Sequence, residues 1–135
     1  MDRFYTRARQ IITSEQPTIL LGAYNIIPQR EDAANPEIWE TDALFHYESR
    51  SRFHRIVNLG FTDALRILHP IEKAFTFWDY QRGAWQKNNG IRIDHILLSP
   101  QAADRLVSCQ IDDYIRGQER PSDHVPIWIE LSSTN

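Results

Sequence analysis

The sequence lacks the features that mark an extracellular or a membrane protein. It holds a single cysteine, Cys109, so neither an internal disulfide nor a cysteine zinc site can form, and a reducing compartment is expected. Cys109 lies in an alternating run and is expected to pack as a small apolar residue. Residues 1–10 carry charges, and no long apolar segment follows, so neither a signal peptide nor a transmembrane span is predicted. We therefore expect a cytoplasmic protein that has no membrane partner.

An excess of positive charge is also absent. Fifteen Lys and Arg residues stand against 18 Asp and Glu residues, for a formal net charge of −3. This balance argues mildly against nonspecific nucleic-acid binding through bulk charge, but it leaves open an enzyme that contacts DNA with a local patch. There is no internal repeat and no low-complexity segment, so 135 residues indicate one domain or less.

Helical patterns are concentrated in the first half of the chain. Apolar residues recur at helical spacing over residues 2–14 and again over 49–59, and a short helix is expected at 39–44. Between the first two patterns, the apolar run at 18–21 predicts a buried strand. Residues 23–36 contain two prolines and many polar residues, which predicts a loop at the end of that strand.

Strand patterns dominate the second half. Residues 74–79 are aromatic and strand-like, and a polar loop is expected at 80–90. Further strands are predicted over 91–99, 106–115 and 125–131, the last with its apolar residues on one face. Too few helices alternate with these strands for a doubly wound parallel sheet. The prediction is an α/β protein with a mixed, mainly antiparallel sheet.

The run Pro121-Ser122-Asp123-His124 is the sharpest candidate for chemistry. It places a carboxylate and an imidazole just before a predicted strand, and in a turn the two side chains can converge. Asp123 would then bind a cation or orient a water, while His124 would contact a phosphate. The alternative is an ordinary turn, because Pro, Ser and Asp all favour turns.

Asp94 is an acid inside an otherwise apolar strand. Such a carboxylate is costly to bury unless it is paired or hydrogen-bonded. His124 is the most economical partner, since a carboxylate holds an imidazole in one tautomer. A surface-facing acid paired with Arg92 or Arg105 is an equally good interpretation of the local sequence.

Asn25 follows the first predicted strand. Its amide group can hold a phosphate oxygen or a water. From the local sequence alone, an asparagine that turns or caps the chain is the better interpretation.

An aromatic cluster lies in the middle of the chain, and it comprises Phe75, Phe77, Trp78, Tyr80 and Trp85. Such rings stack on a flipped base or an abasic sugar, or they form core. Alternation predicts that Phe75 and Phe77 face inward, which makes Trp78 the better site candidate. Trp85 lies in a polar loop and is expected to face DNA.

Four motifs occur in one order: GxxN after an apolar strand, TFWDY, NNGIRIDHILLS and PSDHVPIW. In combination they resemble the exodeoxyribonuclease III family of the endonuclease/exonuclease/phosphatase superfamily, over residues 18–131. The resemblance implies a four-layered α/β sandwich of two mixed sheets, of which residues 1–135 would form the C-terminal half. It also implies Mg²⁺-dependent (or Mn²⁺-dependent) hydrolysis of DNA phosphodiesters, both at abasic sites and from 3′ ends.

Roles for individual residues follow from the same resemblance. His124 would contact the scissile phosphate, with Asp94 as its buttress. Asp123 would help to form the metal site, and Asn25 would position the phosphate or the attacking water. Trp78 would line the pocket that accepts the abasic sugar. Apart from the resemblance, Trp85, Asn89 and Arg92 are also expected to contact the substrate.

Two departures from the family pattern bear on activity. The family's N-terminal half supplies an asparagine, a metal-binding glutamate and a catalytic tyrosine, and no matching motif precedes Gly22. Ala23 stands where the family has an aspartate that orients or deprotonates the attacking water. Loss of one member of a cooperating catalytic set commonly costs about 10⁴-fold in rate. The isolated chain is therefore expected to be inactive or nearly so.

Three functions follow from these observations. The first is a DNA-repair nuclease that acts on double-stranded DNA, and the second is a non-catalytic fragment that binds DNA or a partner. The third, a phosphoinositide or sphingomyelin phosphodiesterase, is disfavoured by the aromatic and Asn-rich motifs. Because one sheet of a sandwich exposes an apolar inner face, we expect the missing N-terminal half or a second chain to cover it.

Overall fold

Two antiparallel sheets and the helices around them make up residues 2–133, which are the residues that the computed structural model describes. The helices are α1 (Asp2–Ser14), α2 (Pro36–Trp39), α3 (Tyr47–Val57), α4 (Ala64–Leu68) and α5 (Pro100–Ala103). The strands are β1 (Ile19–Ala23), β2 (Thr62–Asp63), β3 (Asp94–Leu98), β4 (Leu106–Ile111) and β5 (Ile127–Leu131). Short 3₁₀ turns lie at Arg30–Asp32, Ala43–Phe45 and Asp113–Gly117.

One sheet has the strand order β1-β3-β2, and β4 pairs with β5 in the other. All pairings are antiparallel, which confirms the predicted α/β class with a mainly antiparallel sheet. In the first sheet Ile19 pairs with Leu98 and Ala23 pairs with Asp94, so the end of β1 lies beside the start of β3.

Helices α1 and α3 cover one face of β1 and β3. The apolar stripe predicted for residues 2–14 buries Ala8 and Ile11, and α3 contributes Phe53 and Ile56 to the same cluster. Leu97 of β3 lies at the centre of this cluster and is fully buried. Both long helices were thus correctly predicted, with α3 beginning and ending two residues earlier than expected.

The prediction that residues 18–21 form a buried strand is wrong in its burial. The strand exists as β1, but Leu21 is 67% exposed and Ile19 is 38% exposed. Successive side chains of a strand point to opposite faces, and the described residues cover only one face of β1. An apolar run alone could not reveal that this strand lies at the edge of its sheet.

The aromatic segment 74–79 is not a strand. Phe77 makes only isolated bridges, to Ile91 and to His124. This short segment therefore lies between the residues that lead into β3 and the residues that lead into β5. Its aromatic composition matches a strand, but its position between two partners interrupts regular pairing.

Two other boundaries differ from the predictions. The strand predicted over 106–115 ends at Ile111 and is followed by the 3₁₀ turn. The helix predicted at 39–44 is replaced by α2, which begins at Pro36, and by a turn that the Asp42 carboxylate caps by accepting a hydrogen bond from the Leu44 N–H. Proline favours the first position of a helix, which explains the earlier start.

A buried ion network ties the first loop to β2 and to the segment before β3. Arg92 is 1% exposed and bonds to Asp32 at 2.7 Å and to Asp63 at 3.0 Å, while Arg66 also pairs with Asp32. Burial would raise the pKa of Asp32, but the Arg92 and Arg66 guanidinium groups outweigh it and hold that pKa below its usual value. Removal of either partner would leave an uncompensated buried charge.

No helix within residues 2–133 has the length and apolar character that crossing a membrane requires.

Candidate functional site

Asp94 and His124 form a hydrogen-bonded pair at the edge where the two sheets meet. Asp94 is the first residue of β3, and its Oδ2 lies 2.9 Å from Nδ1 of His124, three residues before β5. The side chain of Asp94 is 14% exposed and that of His124 is 37% exposed. The carboxylate is therefore largely covered, whereas the imidazole keeps an accessible edge and its Nε2 for a second partner. The pairing expected from the sequence is present.

The run 121–124 folds as a turn, and the turn presents the histidine. The N–H of His124 donates to the Ser122 hydroxyl at 3.1 Å, and the Asp123 carbonyl accepts from the Trp78 N–H at 3.0 Å. Phe77 lies beside the imidazole, with the ring centroids 5.1 Å apart in an edge-to-face arrangement. The two interpretations of this run, turn and chemical site, are thus compatible.

Ala23 lies directly across the sheet from Asp94. Paired residues in an antiparallel sheet point to the same face with their Cβ atoms about 4.5–5.5 Å apart. Both residues line a cavity of about 270 Å³ with apolar walls that include Leu21, Val125 and Ile127. An acidic side chain at position 23 would therefore lie against Asp94, where this chain has only a methyl group.

Asn25 follows β1 and is exposed. Its φ of 55° is left-handed, a region that asparagine tolerates better than most residues, so the local interpretation of a turn-forming asparagine holds for the backbone. Its N–H donates to the Ile93 carbonyl at 3.3 Å, which places Asn25 close to the start of β3. The structure brings Asn25 to the same end of the sheet as Asp94.

Asp123 is partly buried beside His124 and is the carboxylate predicted to bind a metal. Within residues 2–133, no group of three or more His, Cys, Asp or Glu side chains is arranged to hold an ion. Mg²⁺ commonly uses only one or two protein carboxylates and takes its other ligands from water and phosphate. Asp123 therefore fits one position of such a site but cannot form it alone.

Trp78 does not line an open site as the sequence suggested. It is 2% exposed, its indole N–H donates to the Asn88 side chain at 3.1 Å, and it packs against Phe75 and Trp85. The ring nearest the candidate site is instead Phe77, which is only half-buried. Alternation gave the wrong orientation because this segment is not a regular strand.

Trp85 and Asn89, both predicted to contact the substrate, are half-buried. Trp85 is half-buried and meets Trp78 edge-to-face with centroids 5.0 Å apart, so it is not a projecting wedge. Asn89 is half-buried, and its side-chain oxygen accepts from Asn35 at 2.7 Å. The polar composition of residues 80–90 suggested an open loop, but the loop packs its tryptophan inward and bonds to its neighbours.

Arg92 is not available to a substrate. Both of its bonding directions are occupied inside the ion network, and its side chain is 1% exposed. Burial would lower the pKa of Arg92, but Asp63 and Asp32 raise it above its usual value. The predicted contact with substrate is therefore corrected to a structural role. Burial of this kind cannot be read from the alternation of residues 91–99.

His95 and Tyr24 lie beneath the site and were not singled out by the sequence. His95 is fully buried between Tyr24 and Phe53, and its Nε2 bonds to the Ile26 carbonyl at 2.9 Å. Burial, aided by Arg92, lowers the pKa of His95 to about 4, and burial raises that of Tyr24 above its usual value. Nδ1 of His95 has no hydrogen-bond partner among the described residues. These rings lie on the face of β3 opposite to the Asp94 side chain, because successive strand residues point to opposite faces.

Comparisons of sequence find one matching family model and several relatives that are named as nucleases. The model of the Endonuclease/Exonuclease/phosphatase family matches residues 2–124. Exodeoxyribonuclease III of Haemophilus influenzae is 34% identical over 96% of this chain and 53% of its own length. The DNA repair nuclease APEX1 of Danio rerio is 35% identical over 90% of this chain and 38% of its own length. The chain thus spans about half the length of the first relative and less of the second.

Comparisons of structure agree. A 3′ phosphatase, NExo, from Neisseria, solved with a product DNA hairpin, has a TM-score of 0.90 and 36% identity over 96% of this chain and 50% of that one. An AP endonuclease from Archaeoglobus fulgidus has a TM-score of 0.90 and 34% identity over 96% of this chain and 51% of that one. These likenesses confirm the predicted fold.

Proposed function

Because the chain belongs to the endonuclease/exonuclease/phosphatase family, we propose that it supplies the C-terminal part of a DNA-repair nuclease of the exodeoxyribonuclease III type. The proposed reaction is hydrolysis of phosphodiester bonds in double-stranded DNA, at abasic sites and from 3′ ends. The observation that carries the proposal is the Asp94–His124 pair, with Asn25 and Asp123 at the same edge.

The chemistry assigned to the pair follows from its geometry. With Nδ1 bonded to Asp94, Nε2 is left to contact an oxygen of the scissile phosphate, and a protonated ring would offset the negative charge that develops there. Asp94 fixes the orientation of the ring and stabilises its charged form. Asn25 donates its amide to a phosphate oxygen or to the attacking water.

A divalent ion, Mg²⁺ or Mn²⁺, would be held in part by Asp123. When bound, such an ion neutralises charge on the phosphate and polarises its oxygens. Asp123 supplies one carboxylate next to the histidine, so the same turn would place the ion and the imidazole against one phosphate group. The remaining protein ligands would come from residues that this chain does not provide.

The proposed partner is a segment that corresponds to the other half of the relatives' length. It would cover the uncovered sheet face, which we define as Ile19, Leu21 and Ala23 of β1. Leu21 is 67% exposed there, and a cavity of about 490 Å³ runs along the free edge of β1. An apolar face at the edge of a sheet favours a covering chain. The relatives' greater length supports this particular occupant.

The proposed function is tested by cleavage of an abasic-site duplex with Mg²⁺. Three proteins are compared: this chain alone, this chain mixed with the corresponding N-terminal half of the Haemophilus relative, and the same mixture made with Ala23→Asp. We expect no turnover from the chain alone and turnover from the Ala23→Asp mixture, with His124→Ala as the inactive control. Robust turnover by the isolated chain would contradict the need for the other half.

If the Ala23→Asp mixture assembles but does not cut, nuclease chemistry at this site is wrong. Assembly is followed separately, by sedimentation, so that an absent complex is not mistaken for an inactive one.

A second function is favoured by Ala23, namely DNA or partner binding without catalysis. Here the pair would hold a phosphate, but no acidic side chain would act on the water. Filter binding of abasic and intact duplexes over a salt series tests it, because contacts to phosphates weaken as salt rises. Binding that falls with salt, in mixtures that never cut DNA, would support this function. No measurable affinity would count against it.

A further inference from the structure

We propose that Thr76 is the positioning residue of the Asp94–His124 pair, so that one buried threonine fixes both partners and the nearby Asn25. The catalytic meaning of this inference rests on the proposed function, but the geometry does not. Thr76 is 0% exposed. It precedes β3 in the sequence, but in space its segment lies between the residues that lead into β3 and the turn that carries His124. Sequence patterns did not single it out, because a threonine in an aromatic segment has no chemical signature.

The hydroxyl of Thr76 holds the backbone at Asp94. Its oxygen accepts hydrogen bonds from the N–H of Ile93 at 3.1 Å and from the N–H of Asp94 at 3.2 Å. Both amides lie where β3 begins, so the bonds define where the Asp94 side chain leaves the backbone. A threonine has a stiff χ1, which makes its hydroxyl a fixed acceptor.

The backbone of the same residue holds the turn that carries His124. The carbonyl of Thr76 accepts from the N–H of Val125 at 2.9 Å. The next residue, Phe77, bridges to His124 and lays its ring against the imidazole. The side chain of Thr76 therefore holds the backbone at Asp94, and its main chain holds the backbone next to His124.

Asn25 is linked through a single peptide group. The Asp94 N–H, which donates to Thr76, and the Ile93 carbonyl belong to one planar unit. That carbonyl accepts from the N–H groups of Tyr24 and Asn25 at 3.1 and 3.3 Å. A shift of this plane would move Asn25 and Asp94 together.

Three substitutions at Thr76 isolate the hydroxyl. Thr76→Val keeps the shape but removes the acceptor, Thr76→Ser keeps the acceptor, and Thr76→Cys offers a weak one. Ser99→Ala is the matched control. Ser99 is also fully buried, and its hydroxyl accepts from the Thr18 N–H at 2.8 Å at the opposite end of β3.

The measurement is the tautomer of His124 in the folded chain, from two-bond ¹H–¹⁵N correlation spectra at one alkaline pH. A ring that donates from Nδ1 to Asp94 is held in the Nδ1–H form. We expect this form to predominate in the parent chain, in Thr76→Ser and in Ser99→Ala, and to become the minority form in Thr76→Val. If Thr76→Val does not fold, Thr76→Cys is used instead, and a share of the Nδ1–H form between those of the parent chain and an unrestrained imidazole would support the proposal.

Amide exchange at Asp94 is measured on the same samples and should accelerate in Thr76→Val only. A merely structural threonine would lower stability, as Ser99→Ala does, and leave the tautomer unchanged. An unchanged tautomer in folded Thr76→Val or Thr76→Cys would overturn the proposal, as would an equal loss in Ser99→Ala. Because no nuclease assay is involved, failure of the proposed function would leave this result intact, and the reverse also holds.

Discussion

At the residue scale, the candidate site depends on one carboxylate that is largely covered and one imidazole that is not. Asp94 is placed to fix the ring of His124 through Nδ1, whereas the ring itself reaches the surface. The two residues therefore differ in what their loss would change. Asp94 affects how the imidazole is oriented, and His124 affects what it touches.

Asp94→Asn should lower turnover of the assembled nuclease by roughly 10²–10⁴-fold, because an amide cannot stabilise a charged imidazole and favours the wrong tautomer. Single-turnover cleavage of the abasic duplex by the Ala23→Asp mixture measures it. Asp104→Asn is the control, since Asp104 is an exposed acid at the end of α5. Equal effects of the two substitutions would contradict the role of Asp94.

His95 should make the fold sensitive to mild acid. Its folded pKa of about 4 lies below its ordinary value of 6.5, so as pH falls the unfolded chain binds the proton first. Stability is then complete above about pH 6.5 and falls by roughly 3 kcal/mol as pH decreases toward 4. Urea unfolding across this range measures it. His95→Gln, which keeps a donor for the Ile26 carbonyl, should flatten the profile; an unchanged slope would contradict the assignment.

The sequence allowed some of these residues to be predicted and not others. Asp94 could be matched with His124 because an acid in an apolar strand demands a partner. Trp78 was expected in the site because alternation turned Phe75 and Phe77 inward, and Arg92 was expected to contact the substrate. Trp78 is buried with its indole N–H bonded to Asn88, and Arg92 is buried with its guanidinium bonded to Asp32. These partners are 10 and 60 residues away, so no periodic pattern in the sequence marks the contacts.

At the scale of elements, the loop that follows the aromatic segment is fixed by close packing. Gly90 is buried, and a Cβ added there would lie 2.7 Å from the Trp78 indole nitrogen and 2.8 Å from Cβ of Phe75. The glycine therefore permits the chain to pass between two large rings and then enter β3. The loop at residues 80–90 is therefore held by the packing of Gly90 against Trp78 and Phe75 rather than by strand pairing.

Gly90→Ala should lower the free energy of unfolding by about 1–3 kcal/mol, because the methyl group overpacks a closed cluster. Gly117→Ala is the comparison, since its added Cβ would approach Trp85 only to 3.2 Å and neighbours could yield more easily. Urea unfolding of both variants measures their free energies of unfolding, and we expect the larger loss in Gly90→Ala. A Gly90 variant as stable as the Gly117 variant would show that the rings can move.

Element types were predicted better than element ends. The stripe of α1 and the face of β5 follow from periodicity, and both are present. Strand β4 ends at Ile111 because Asp112 and the turn after it divert the chain, and the Asp112 side chain accepts from Trp128 at 3.1 Å. That bond joins residues 16 apart, so no local pattern could have marked the boundary.

At the scale of the whole molecule, the uncovered sheet face is the surface that we propose is covered by a second chain. The fold class and the family were predictable because four motifs occur in a fixed order, whereas the exposure of β1 was predicted wrongly, since an apolar run does not show that a strand lies at the edge of its sheet. The face is uncovered because β1 is an edge strand, and the order of the strands in the sheet cannot be read from the residues of β1 alone.

Leu21→Glu should weaken assembly with the N-terminal half of the relative at least 10-fold, because a charge at the centre of an apolar interface costs more than about 1.4 kcal/mol. The stability of this chain alone should be nearly unchanged. Val107→Glu is the matched control, because Val107 is 54% exposed on β4 and lies outside the uncovered face. Calorimetric titration measures both. Equal affinities would mean that β1 is not the contact.

The Asp94–His124 pair also has a place in the order of folding. Its two residues lie 30 positions apart: Asp94 opens β3 in one sheet, and His124 lies three residues before β5 of the other sheet. The hydrogen bond can close only when the ends of the two sheets lie side by side, and closing a loop of this length costs conformational entropy before the contact can form. The hydrogen bond between Asp94 and His124 is therefore expected to form only in a chain whose two sheets have docked.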